Sequence, residues 1–294
     1  MKKAKKFDSV AFAFIAPAFI LFTLFVIVPT ISSVYYSFTS WDGISSDIKF
    51  IGLANYKEIF TSARFGNALK NTAILTVFIS LFENAMALCL ALIVDNVRWG
   101  KNFFRSAFYI PVLISGIVSG FIWKIMYNYN FGTINSMLQN VGLENLKQDW
   151  LGNTALTLPM IGIVLIWKGA GYYMIIYLAS LQGVPVELIE AAEIDGANVW
   201  QRFKSITVPL ISGAFTINFT LSLIKGLKVF DEINVMTDGG PGFTSETLVY
   251  LLYKVGFNEG RQGFGTAVGI MLLFIIINLN SIQQKFLKSR EVQM

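Results

Sequence analysis

The chain contains no histidine and a single cysteine, Cys89. Imidazole acid/base catalysis, His/Cys zinc sites and disulfide frameworks are thereby excluded. It also lacks a G-x-x-x-x-G-K-[ST] phosphate loop, so it does not bind ATP in the P-loop manner. Charge is scarce: Asp, Glu, Lys and Arg make up 14% of 294 residues, against about 25% in an average soluble domain. What is abundant is apolar: 54% of the residues are hydrophobic and 15% aromatic, and the mean hydropathy is +0.59. These values describe an integral membrane protein with no hidden soluble domain. The net charge of +5 does not signal nucleic-acid binding, because the basic residues flank apolar runs where membrane topology accounts for them.

A charge at the bilayer centre costs about 2.5 to 3.5 kcal/mol on insertion scales, so long uncharged gaps mark the spans. Such gaps run for 33 residues between Asp8 and Asp42, 18 between Arg105 and Lys124, 20 between Lys204 and Lys225, and 23 between Arg261 and Lys285. Two further runs carry one charge each, Glu83 in 71–94 and Lys168 in 156–181. The reading is all-α with six transmembrane helices: 10–39, 71–94, 106–127, 156–181, 209–228 and 263–284. Pro17 and Pro29 are expected to kink or end the first, and Trp41 to anchor it at the interface. The first run is far longer than a signal-peptide core, so it reads as uncleaved.

The Lys/Arg bias sets the orientation. Segments 1–9, 95–105, 181–208 and 285–294 hold 12 basic residues in 58, whereas 40–70, 128–153 and 229–262 hold 7 in 91. Both termini, including the tails 1–9 and 286–294, are expected in the cytoplasm, with 40–70 and 229–262 outside.

One cytoplasmic segment, 182–208, is too elaborate for a passive loop. Pro185 suits a helix start, Glu187 and Glu190 favour the positive end of its dipole, and Leu188, Ala191 and Ala192 share a face. Gly196 can end that helix in a left-handed conformation, and Trp200, Phe203 and Ile206 give a second amphipathic stretch up to Pro209. Trp200, Arg202 and Lys204 suit an interfacial helix lying on the bilayer. Glu187, Glu190, Glu193 and Asp195, repelled by anionic headgroups, favour docking in a groove on a soluble partner instead.

Glu190-Ala191-Ala192, Asp195-Gly196-Ala197, Trp200-Gln201 and Ile206-Thr207-Val208-Pro209-Leu210 together resemble the EAA loop of permease subunits of binding-protein-dependent ABC importers. Phe50-Ile51-Gly52-Leu53-Ala54-Asn55-Tyr56, Phe104-Arg105 to Pro111, Leu178-Ala179-Ser180-Leu181-Gln182, Phe230-Asp231 and Thr237-Asp238-Gly239-Gly240-Pro241 resemble the carbohydrate-uptake branch, in its compact six-span, MalF-like form. The resemblance implies a type I importer permease fold with its core over 71–285. It also implies four kinds of partner: a second homologous permease, two ATPase subunits that hold ATP and its magnesium, an extracellular sugar-binding protein, and a carbohydrate solute. Glu190, Ala191, Ala192, Asp195, Gly196 and Ala197 would couple to the ATPase, and the Asp238 turn would lie near the docked binding protein. No cofactor and no catalytic role is expected of this chain.

Sugars are held by hydrogen bonds to hydroxyls and by aromatic faces. Polar or aromatic groups at span depth include Glu83, Asn84, Trp123, Lys168, Tyr172, Tyr173, Asn218, Ser222 and Asn278. Asn218 and Ser222, one turn apart, are the first candidates for the solute pathway, with Lys168 and Tyr172 beside them. Glu83 is expected in a structural ion pair with Lys168, Lys124 or another group across helices. Lys225, Lys228, Asp231 and Glu232 are expected to pair locally. The competing reading is a secondary transporter or channel subunit built around Glu83 and Lys168.

Overall fold

The computed structural model describes residues 9–289. The lysines of the amino-terminal tail, Lys2, Lys3, Lys5 and Lys6, and Arg290 lie outside that range. In chain order the helices are α1 (Ser9–Phe22), α2 (Val28–Tyr36), α3 (Ala54–Thr61), α4 (Ala63–Asn96), α5 (Lys101–Tyr109), α6 (Gly116–Met126), α7 (Thr133–Asn140) and α8 (Thr157–Leu181). There follow α9 (Val186–Ile194), α10 (Val199–Arg202), α11 (Val208–Leu210), α12 (Ser212–Leu227), α13 (Asp231–Met236), α14 (Leu248–Tyr253) and α15 (Gln262–Lys288). Among the described residues β pairing is confined to one bridge, Thr39 to Phe50. Four helical stretches are long and apolar enough to cross a membrane alone: Phe14–Tyr36, Ala63–Asn96, Thr157–Leu181 and Gln262–Lys288. Two bent pairs bring the number to six.

The first bend falls within the span expected over 106–127, the second at the start of the span expected over 209–228. Lys101–Leu113 and Gly116–Met126 meet at 94°. Pro111 shortens the end of the first helix to a 3₁₀ turn, Ile110–Leu113, and extended Ser115 restarts the chain by accepting the Val118 amide at 3.3 Å. Val199–Leu210 and Ser212–Leu227 meet at 68°, with Ile211 at the corner.

Pro29 neither ends nor breaks the first span. The turn before it, Thr23–Ile27, widens to a π turn in which the Val28 amide reaches the Thr23 carbonyl. The same device precedes Pro209, where Phe203–Thr207 is widened and the Val208 amide reaches Phe203. A proline inside a helix collides with the carbonyl four residues back and cannot donate to it; one extra residue in the turn relieves both problems.

Two compact units make up the chain. One comprises 9–61 with Leu252–Met271. In it the Phe50–Tyr56 motif acquires a structural meaning. Buried Asn55 donates both amide hydrogens to backbone carbonyls, Ser37 at 2.8 Å and Thr39 at 2.9 Å, and the Tyr56 hydroxyl meets Ser37 Oγ at 2.7 Å. Gly52, at φ +59°, makes the turn that brings Asn55 there. Trp41 stacks on Tyr36 at 4.3 Å, and Arg261 binds Glu58 at 2.6 Å. Asp42 is held below the usual carboxylate range by the Ile44 and Ser45 amides that point at it.

The other unit comprises Ser62–Leu251 with 272–289. Its axis is α4, whose buried positions Phe65, Ala68, Thr72, Leu75, Ile79, Glu83, Ala87, Ala91 and Val94 recur every three or four residues. That stripe packs on α8 and α12 in two apolar clusters, one around Leu75, Ile79, Ile161, Leu165 and Ile233, the other around Ala87, Ala91, Met174, Tyr177 and Ala214. Close approach is bought by glycine at two places. A Cβ on Gly226 would fall 2.8 Å from Thr76 Cα, and one on Gly171 would fall 2.1 Å from the Phe108 carbonyl oxygen.

Replacement of Asn55 by alanine removes both donors and leaves two buried carbonyls unpaired, which is expected to cost about 1–3 kcal/mol. The expected result is earlier proteolysis between residues 37 and 61 than in wild type under identical conditions. Unchanged protease resistance contradicts this role.

Candidate functional site

Glu83 lies on α4 between the two apolar clusters and is fully buried. A bare carboxylate there is untenable, and α12 supplies its partner: Lys225 Nζ donates to Glu83 Oε1 at 2.6 Å. Lys225 also reaches the Leu165 carbonyl at 3.4 Å and lies 5.9 Å from the Tyr173 ring centre. Space for the pair comes from α8, where a Cβ on Gly169 would sit 1.7 Å from Glu83 Oε1 and 2.2 Å from Lys225 Nζ. One buried site therefore combines an acid, a base and a glycine from three helices.

Glu83 thus forms the structural ion pair expected of it, with another group across helices, Lys225, and not with Lys168 or Lys124. Lys168 instead binds Glu232 on α13 at 3.0 Å, and Lys124 donates to the Val235 carbonyl at 2.9 Å. The local pairing expected within 225–232 is replaced by two links to other helices, because Lys225 and Glu232 both point into the helix packing and not along their own surface. Asp231 packs against the start of α6, where a Cβ on Gly116 would fall 2.4 Å from its Oδ2, a position the helix dipole favours for an anion.

Asn218 and Ser222 are completely buried and line neither of the two cavities beside Lys168. Asn218 donates to the Tyr173 carbonyl at 3.1 Å. Ser222 receives Asn84 Nδ2 at 3.0 Å, Asn84 also donates to the Ser80 carbonyl at 2.7 Å, and the Tyr177 hydroxyl donates to Asn84 Oδ1 at 2.9 Å. These amides and hydroxyls join α4, α8 and α12, and their one-turn spacing places them on the packed face of α12. Lys168 and Tyr172 do face open space. They line a cavity of about 290 Å³ with Val112, Gly169, Tyr173, Leu221 and Lys225. It shares Lys168, Leu221 and Lys225 with a second cavity of about 390 Å³ that extends to Lys228, Phe230, Asp231 and Glu232. Asp231 and Glu232, read from sequence as local partners of Lys225 and Lys228, stand with Phe230 on this cavity wall instead; only Phe230-Asp231 carries a family signal.

The segment 182–210 holds no buried residue. Its hairpin is nonetheless fully capped. The Ala197 amide bonds to the Ala192 carbonyl at 2.9 Å and the Gly196 amide to Glu193 at 3.0 Å, with Gly196 at φ +81°, which is a Schellman closure of α9. The next helix opens with a capping box: the Gln201 amide donates to Asn198 Oδ1 at 2.9 Å, and the Asn198 amide to Gln201 Oε1 at 2.7 Å. Arg202 binds Glu193 across the turn. Outward it presents Ile194, 88% exposed, Val199, 73%, and Trp200, 68%. Glu190, Ala191, Asp195 and Gly196 are exposed, and Ala192 and Ala197 partly so.

The loop 237–246 is also built, not slack. Asn67 and Asn71 donate to the Phe243 carbonyl at 2.7 and 3.1 Å, and Arg64 grips buried Glu246 with two bonds, 2.9 and 2.8 Å. Tyr250 donates to Asp238, and Ser245 Oγ to the Gly240 carbonyl at 2.6 Å.

Residues 84–291 match the protein family described as the binding-protein-dependent transport system inner membrane component. Over the whole chain and 99% of its own length, a protein of Thermoanaerobacterium thermosulfurigenes is 36% identical; it is named a probable starch degradation products transport system permease, AmyD. Among solved structures, a bacterial ABC transporter involved in import of the acidic polysaccharide alginate superposes with a TM-score of 0.84. That match has 25% identity and covers 96% of each chain. A second structure, the alginate transporter in complex with a periplasmic protein carrying an alginate pentasaccharide, gives 0.83 at 25% identity, covering 94% of this chain and 93% of that one.

Lys225→Met leaves Glu83 buried without a partner and is expected to cost about 3 kcal/mol. The double variant Glu83→Leu/Lys225→Met removes both charges and should recover most of the loss. Melting followed by tryptophan fluorescence in detergent checks this, and equal losses in the single and double variants would contradict the pairing.

Proposed function

We propose that this chain, which belongs to the family of binding-protein-dependent transport system inner membrane components, is one of two permease subunits of an ATP-driven carbohydrate importer. The observation that carries the reading is the capped hairpin over 182–208. Ile194, Val199 and Trp200 form an apolar, solvent-exposed edge on a rigid frame, beside Glu190, Ala191 and Ala192 on α9. Such a frame suits a groove on a soluble ATPase subunit. Closure of two ATPase subunits around ATP would displace the hairpin, and α12, joined to it at the Ile211 corner, would follow. The chain itself performs no hydrolysis.

The carbohydrate assignment is supported by the name of the starch-product relative and by the alginate importers of the same fold. It is also supported by the two cavities with shared lining, which offer Tyr172 as a ring surface and lysine N–H groups as donors. This chain would contribute half of the pathway and a second permease the other half. An extracellular sugar-binding protein would deliver the solute near the loop 237–246. Both termini would face the cytoplasm of a bacterial cell, with 40–70 and 229–262 on the outer side.

Purification from native membranes tests the assembly. The intact chain is expected to bring down a second permease and an ATPase, and Glu190→Ala/Gly196→Pro is expected to lose the ATPase alone. A chain that purifies by itself and moves sugar in liposomes without ATP overturns the reading. Orientation is checked in a Cys89→Ser background. Ser46→Cys should react with an impermeant maleimide on intact cells, and Ser205→Cys should react only after lysis. The opposite pattern would invert the topology.

A further inference from the structure

The two cavities are lined by Lys168, Lys225 and Lys228, which at first sight makes an anion site. The charge of two of them is nevertheless cancelled by direct partners. Lys168 is bound to Glu232 and Lys225 to Glu83, and in each pair the ammonium is the exposed partner: 19% against 7%, and 31% against 0%. Asp231 lies on the same wall as Lys228. Two of the cations are thus bound to carboxylates held behind them, and Asp231, on the same wall as the third, brings the count to three of each sign. What reaches the cavity is hydrogen-bonding capacity without net charge. Lys168 Nζ uses one of its three hydrogens on Glu232, and Lys225 Nζ uses two, on Glu83 and the Leu165 carbonyl.

We propose that the half of the pathway supplied by this chain selects uncharged sugars over anionic ones. Glu232 and Glu83 are its specificity-determining residues because they mask Lys168 and Lys225. The proposal rests on the carbohydrate reading and narrows it. A neutral sugar offers hydroxyl oxygens to the remaining N–H donors and a ring face to Tyr172, which is 42% exposed. A uronate or phosphate sugar entering the same space sheds water from its charge and meets no net positive charge in return, so it is disfavoured.

The test is equilibrium binding of radiolabelled maltotriose and of trimannuronate to the assembled transporter in nanodiscs without binding protein, so that the pathway's own preference is read. Wild type is expected to bind maltotriose more tightly, with trimannuronate affinity insensitive to salt. Glu232→Gln, which unmasks Lys168, should raise trimannuronate affinity by about tenfold, make it salt-dependent, and change maltotriose little. Lys168→Met/Glu232→Leu, which removes both charges, should keep the wild-type ratio. Wild-type binding of trimannuronate equal to that of maltotriose, or strongly salt-dependent, overturns the masking while leaving the carbohydrate reading intact, and requires no variant. An unchanged ratio in a Glu232→Gln assembly also overturns it. Failure of both sugars to bind overturns the carbohydrate reading itself, and the proposal with it.

Discussion

Placing an acid inside a lipid-embedded helix bundle is the constraint around which the larger unit is arranged. Glu83 is the most deeply buried charge on α4, and its position requires three matched choices: a lysine on α12 within reach, a glycine on α8 to leave room, and apolar clusters above and below. None of the three makes sense alone. A side chain at Gly169 would collide with the pair, and Lys225 without Glu83 would be a cation with no reason to turn inward. The pair contributes little net stability against an apolar replacement. Its value lies in register: sliding α4, α8 or α12 out of place would leave a buried charge without its partner.

Register and the proposed pathway are linked by the same lysines. Lys225 faces Glu83 on one side and the cavity on the other; Lys168 faces Glu232 and the same cavity. The polar groups that the bundle needs for its own satisfaction thereby become the donors it can show to a solute. The amides took the opposite course. Asn84, Asn218 and Ser222 close on hydroxyls and carbonyls within the bundle and are absorbed into the packing. In lipid, where an unsatisfied polar group finds no water, the neighbouring helix is the first partner a short amide or hydroxyl meets. A lysine is long enough to satisfy a buried partner and still surface.

This difference explains what could be read from residues alone. The all-helical class, the apolar spans and the hairpin with its Gly196 turn follow from composition, charge gaps and capping signals, all of which are local. The break at Ser115 and the wide turns before Pro29 and Pro209 depend on how a helix accommodates a proline, by bending or by adding a residue, and packing decides between them. Partnerships such as Glu83 with Lys225 join residues 142 positions apart, so no helical spacing rule reaches them. Asn218 illustrates the limit: its one-turn spacing from Ser222 correctly put both on one face of α12, but spacing does not say whether that face meets a cavity or another helix.

The hairpin is held together by means that do not involve burial. Its stability comes from the Schellman closure at Gly196, the reciprocal cap between Asn198 and Gln201, and the ion pair across the turn, while its apolar edge stays uncovered. A segment that orders itself before docking gives up little further conformational entropy when it docks, so in the proposed ATPase contact the energy of Trp200 and Ile194 would go into affinity. Rigidity also matters for transmission. A displacement applied to a floppy loop is absorbed by the loop, whereas one applied to a capped pair of helices passes to the elements joined to it. The widened turn Phe203–Thr207 lies between the hairpin and α12 and marks the place where Pro209 has already forced the backbone out of ideal geometry. In the proposed coupling, a joint located there would change angle without breaking a regular helix, confining the motion to one corner and leaving the charge pairs of α4, α8 and α12 to move as a body.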